Sequence, residues 1–209
     1  MSKLSYLPSE TVCFTGHRMI PPEEVSVLRQ KIRTSVQEAY ERRYRVFICG
    51  GARGFDTIAA QEVLLIKNEY DDIRLVIAVP CASQADRWPQ REKEIYQSIL
   101  NRADEVIILS EEYYTGCMQN RNRYMVDNSS LCLCYLKSFE GGTWSTVRYA
   151  LHKGISLKNL AMQNDSVVLK EHSWSFICIY HFVLKNVSIV HLYHSGHPKN
   201  KSQSILKRS

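Results

Sequence analysis

The sequence predicts an α/β protein with a Rossmann-like, doubly wound, mainly parallel sheet and helices on both faces. Three observations lead there. Short apolar runs alternate with segments of helical periodicity, the signature of repeated β-α units. The runs are continuously apolar rather than alternating, which suits strands covered on both faces. Glycine-centred turns follow directly on several of them, where such sheets bind ligands beyond the carboxyl ends of the strands.

Val12-Cys13-Phe14 reads as the first strand. Over 23–43, Val25, Leu28, Ile32, Val36 and Tyr40 recur at steps of three and four, giving an amphipathic helix. Pro21 and Pro22 with Glu23 and Glu24 suit its start. Val46 to Cys49 is a second strand, followed by a glycine turn and a helix to about Tyr70. Leu75 to Val79 is a third strand, and 90–102 a helix with Ile95, Ile99 and Leu100 inward. Val106 to Leu109, a helix over 118–128 and the strand Leu131 to Tyr135 follow. A helix from Gly141 through Leu151 and a sixth strand from Ile155 to Leu160 complete the pattern.

The rhythm then stops. The reading is therefore a domain over 1–160 and an atypical, basic, His-rich extension over 161–209, which holds five of the seven histidines. From Ala161 onward six Lys/Arg face two Asp/Glu, so most of the net charge of +6 belongs to the extension. The nearly neutral domain argues against duplex binding through many phosphate contacts. Ser173 to Tyr193 is apolar but broken by Lys185 and polar residues, so no membrane span is expected. Seven cysteines without a CxxC pair, and a polar N-terminus, suit a reducing cytoplasm.

Three turns carry the candidate site. Thr15-Gly16-His17-Arg18 follows the first strand, Gly50-Gly51-Ala52-Arg53-Gly54-Phe55-Asp56 the second, and Gly141-Gly142-Thr143 with Thr146 the fifth. Glycine lets the backbone approach an anion with no Cβ in the way. N–H groups and helix N-termini then hold phosphate, with Arg18, Arg53 and Arg121 as anion partners. The expected ligand is a nucleotide-type small molecule. His17 is placed to touch it, and Trp88, Tyr113 and Tyr114 could stack on a base.

These turns also carry a resemblance, together with Pro80-Cys81, Gln84, Trp88, Ala103-Asp104, Tyr113-Tyr114, the run Arg121 to Asp127, and Tyr149-Ala150. In this order, over residues 10 to 160, they resemble the YpsA family of the SLOG superfamily, which also holds the DNA-processing protein DprA and the LOG phosphoribohydrolases. The resemblance implies a Rossmann-like fold with a pocket made by the glycine turns, and an association with cell division in Gram-positive bacteria. LOG enzymes cleave the N-glycosidic bond of nucleoside monophosphates with a Glu that ends their Pro-Gly-Gly-x-Gly-Thr-x-x-Glu motif. The similar stretch here, Glu140 to Arg148, ends without a carboxylate, and Gln119 and Asn122 replace a His and a Lys of the other LOG motif. Cleavage needs a group that stabilises the oxocarbenium-like centre or activates water, so the resemblance favours a binder or sensor.

If the chain is a hydrolase, Arg121, Asp56 and Asp127 are the candidates for its chemistry. A third alternative, a DprA-like single-strand DNA binder, is supported by the Gly50–Asp56 segment and opposed by the near-neutral domain. No cofactor is expected. His191, His194 and His197 lack the spacing and carboxylate or Cys partners of a zinc site, so no metal is expected either. The sequence leaves a homo-oligomer open.

Overall fold

The computed structural model describes residues 6–161, all within a unit spanning Met1–Glu171. The expected extension therefore lies outside the described residues, apart from Ala161, and so do Cys178, His191, His194 and His197. The strands are β1 (Thr11–Gly16), β2 (Val46–Cys49), β3 (Arg74–Val79), β4 (Glu105–Ile108), β5 (Leu131–Tyr135) and β6 (Ser156–Asn159). The helices are α1 (Val25–Glu41), α2 (Phe55–Ile66), α3 (Gln90–Arg102), α4 (Cys117–Asp127) and α5 (Gly141–His152).

All five strand pairings are parallel, in the order β4-β3-β2-β1-β5-β6. The predicted α/β class and doubly wound sheet hold. The order reverses at β1, which pairs with β2 on one side and β5 on the other. The crevice of the switch-point rule thus opens beyond the carboxyl ends of β1 and β5.

Strand period two divides the core. Val12 and Phe14 point to one side, where Leu28, Ile32 and Val36 of α1, Phe55 and Val63 of α2 and Ile99 of α3 cover them. Cys13 points to the other, under Tyr124 and Met125 of α4 and Val147 and Ala150 of α5. Each large side chain so buried contributes about 1.5–3 kcal/mol. Between α1 and α2 lies the buried carboxylate of Glu62, which accepts from Arg29 at 2.6 Å and Arg33 at 2.8 Å.

Two expectations need correction. The second helix ends at Ile66, and 67–70 closes it as a turn in which the Tyr70 N–H reaches Ile66 O at 3.1 Å. Strand β4 is not covered on both faces: Val106 is 38% and Ile108 49% exposed. It is one of the sheet's two edge strands, with no further β-α unit on its outer flank. The six cysteines among the described residues are free and buried. Burial pushes the Cys49 thiol up to about 12, which makes it an inert hydrophobe despite its place beside the glycine turn. No helix among the described residues is long and apolar enough to cross a membrane.

Candidate functional site

All three glycine turns lie at the carboxyl ends of their strands, and two of them flank the switch point. The turn after β1 rests on the turn after β2. Gly16 ends β1 against the Phe55 ring, where a Cβ would overlap it. The Phe55 N–H donates to His17 O at 3.1 Å, and this bond ties the β1 turn to the start of α2.

The β2 turn is held from within. The Asp56 carboxylate accepts from the Gly50 N–H at 3.1 Å and the Ala52 N–H at 3.3 Å. Thr57 Oγ1 donates to Ala52 O at 2.9 Å. The Gln84 amide donates to Gly51 O at 3.2 Å and Gly50 O at 3.4 Å. Arg121 reaches in from α4 and donates to Gly50 O, and to Ala78 O at 3.4 Å. A Cβ at position 50 would overlap the Arg121 guanidinium, which would have to leave its buried place. Burial raises the Asp56 pKa above the ordinary carboxylate value, and the Arg121 charge and the two N–H bonds oppose that shift. Arg53 turns outward, where Glu92 of α3 takes it through two contacts, one of them 2.7 Å from Nη2 to Oε1.

A side-chain chain runs from the β2 turn to the start of α5. Arg121 Nε donates to Asn122 Oδ1 at 2.7 Å, Asn122 Nδ2 to Thr146 Oγ1 at 2.7 Å, and Thr146 Oγ1 to Gly142 O at 2.8 Å. The start of α5 itself is open. Glu140 makes no side-chain cap there, and a Cβ on Gly141 or Gly142 would meet nothing within 4 Å.

At the switch point the His17 ring joins β1 to β5. Its Nε2 accepts the Lys137 N–H at 2.9 Å, and the ring packs edge-on against Tyr135. Burial and then the Lys137 charge hold the His17 pKa below its usual value. The unfolded chain therefore binds the proton more readily, so stability from this contact is present above about pH 6.5 and is lost as pH falls through the lowered folded value. His17→Gln keeps an acceptor but cannot titrate. Its urea midpoint should lose the part of the acid-side fall expected of the parent chain as pH drops below about 6.5. An unchanged slope in the variant would remove His17 from this account.

The predicted residues thus occupy different environments. Thr15, Thr143 and Thr146 are buried, and Thr146 is spent on the α5 turn. Arg18 is exposed beside the Asp56–Arg121 pair, close enough for its charge to act on both. Arg121, expected as an anion partner or catalytic group, is a buried structural donor instead. Asp127 departs furthest. It ends α4 at the opposite, N-terminal edge of the sheet, where Lys153 at 2.7 Å and Tyr149 OH at 2.9 Å engage it. Trp88 packs edge-to-face on Tyr96, while Tyr113 and Tyr114 are exposed after β4. Among the described residues no group of three or more His, Cys, Asp or Glu can hold a metal ion. Site reasoning from sequence passed over Gln84 and Asn122, although both stand in the quoted motifs, and over Glu24 and Lys137, which carry no local signal.

The chain is similar to several known proteins. It is 32% identical over 137 residues to an uncharacterized SPbeta prophage-derived protein, YoqJ, of Bacillus subtilis, covering 59% of this chain and 80% of that one. It is 24% identical over 155 residues to a UPF0398 protein of Bacillus thuringiensis, covering 71% and 82%. Two solved DprA structures share the fold. For the Helicobacter pylori protein, whose single-stranded DNA binding mode has been described, the TM-score is 0.51 at 19% identity, with 72% of this chain and 64% of that one covered. For the Streptococcus pneumoniae protein it is 0.52 at 16%, covering 72% and 49%. The chain thus spans about half to two-thirds of those two structures. The model of the YspA SLOG family (YpsA) matches residues 13–191, and the chain belongs to that family.

Proposed function

We propose that the chain binds a nucleotide or nucleotide-derived anion in the crevice beyond β1 and β5. One observation supports this most. The turn after β1 and the start of α5 flank the switch point, and the α5 turn is uncapped with open space over Gly141 and Gly142. A helix N-terminus with accessible N–H groups favours an anion, and the exposed Arg18 lies on the neighbouring turn. The β2 turn, its polar groups largely satisfied from within, supports the β1 turn. A hydrolase reading is less well supported, because Arg121 and Asp56 are buried in that scaffold and Asp127 lies at the far edge. The DprA likeness keeps single-stranded DNA as the second reading. A regulatory part in bacterial cell division rests on the family alone.

Gly142→Asp tests the site. Its Cβ meets no neighbour within 4 Å, so the fold should survive, while a carboxylate is set where the ligand phosphate would lie. Thermal-shift titration with nucleoside mono- and diphosphates should stabilise the parent chain and leave the variant unmoved. Equal stabilisation of both would place the site elsewhere. Release of free base during the titration would restore the hydrolase reading.

A further inference from the structure

Lys137 follows β5 by two residues, and its backbone N–H is fixed by His17 at the switch point. Its ammonium is paired with the Glu24 carboxylate, which enters from the turn before α1. Glu24 also accepts the Tyr135 hydroxyl at 2.6 Å, so it is held in place from the β5 side. The Lys137 and Glu24 side chains are 42% and 35% exposed. A pair this open is screened by solvent and contributes little to stability, so an incoming anion can exchange with it. Lys31 also acts on Glu24 through its charge, and Arg18 on the β1 turn and Glu140 before α5 are the charged residues of the flanking turns, while His17, whose pKa is lowered, accepts the Lys137 N–H.

We propose that Lys137 is an anion-binding residue of the crevice held in reserve by Glu24, and that exchange of the Glu24 carboxylate for a ligand phosphate selects a terminal phosphomonoester over a phosphodiester. This rests on the crevice being the nucleotide site. The selectivity follows from charge. A phosphodiester carries one negative charge, as Glu24 does, so replacing one by the other on Lys137 gains nothing. A terminal phosphate carries about −1.5 to −2 near pH 7 and offers three acceptor oxygens, so it outcompetes the carboxylate. The arrangement therefore takes a mononucleotide in preference to the backbone of a nucleic-acid strand.

Calorimetric titration of the full chain with adenosine 5′-monophosphate, and with an oligothymidylate lacking terminal phosphates, tests this. The parent chain should prefer the monophosphate. Glu24→Gln keeps the Tyr135 hydrogen bond, frees Lys137 and should tighten the monophosphate several-fold. Lys137→Met should weaken it about tenfold, the loss of one charge-assisted contact, with a smaller effect on the oligothymidylate. If Gly142→Asp abolishes binding but neither Glu24→Gln nor Lys137→Met changes it, the site stands and the exchange is wrong. A parent chain that prefers the oligothymidylate overturns the selectivity. If neither ligand binds the parent chain, the nucleotide site itself fails, and the exchange with it.

Discussion

Arg121→Met is expected to cost about 3–5 kcal/mol, because it removes a buried cation and strands its partners. Arg121, 5% exposed as a residue, reaches from α4 to the β2 turn. It donates to Gly50 O, Ala78 O and Asn122 Oδ1, and its charge opposes the burial cost of Asp56. Without it, two carbonyls lose a donor and the buried carboxylate loses its countercharge. In a unit of this size each kcal/mol shifts the melting temperature by about 2–4 °C, so the fall should reach on the order of 10 °C. Lysine should not rescue, since a point charge cannot divide its donors as the planar fork does. Arg121→Met combined with Asp56→Asn should be less damaging than the sum of the two, because the charge leaves with its partner. A loss below about 1 kcal/mol for Arg121→Met alone would mean that the guanidinium is peripheral.

This residue also shows where sequence reading reached its limit. With Arg18 and Arg53, Arg121 reads from sequence as an anion partner, because an arginine can neutralise a phosphate. Helical spacing held the contrary signal. Cys117, Arg121, Tyr124 and Met125 lie at steps of four, three and one, and all are buried on one face of α4. Arg53 could not have been placed from sequence, since its partner Glu92 lies 39 residues away on another helix. Asp127 lies away from the crevice for a topological reason: the last residue of a helix leading into a parallel strand lies at the strands' N-terminal edge. The strands were legible because continuous apolar runs are what a sheet buried on both faces demands. The edge at β4 was not, because which run lies outermost is decided by pairing order. The three turns were legible as positions at strand ends, but not as different environments. One is sealed by Asp56, Arg121 and Gln84, and another is open at Gly142.

That difference leads to the second large effect. Gly54→Ala should destabilise strongly, whereas Gly142→Ala should be neutral or mildly stabilising. Gly54 has φ +75° and ψ −119°, a conformation that glycine alone adopts readily. Strain of this kind costs about 1–3 kcal/mol in any other residue. An alanine Cβ would also overlap the Arg18 carbonyl and come within 2.7 Å of His17 O. Those are backbone atoms, and the Phe55 N–H bond to His17 O prevents them from withdrawing without loss. Relief would have to part the β1 turn from the start of α2, the contact that places His17 and Arg18 beside the crevice. At Gly142 the added methyl meets nothing within 4 Å, and within a helix alanine is favoured over glycine by up to about 1 kcal/mol. Urea denaturation of the two variants beside the parent chain separates these cases. Equal stability of Gly54→Ala and the parent would show that the two turns are not locked together, and the β1 turn would then have no rigid support from which to present Arg18.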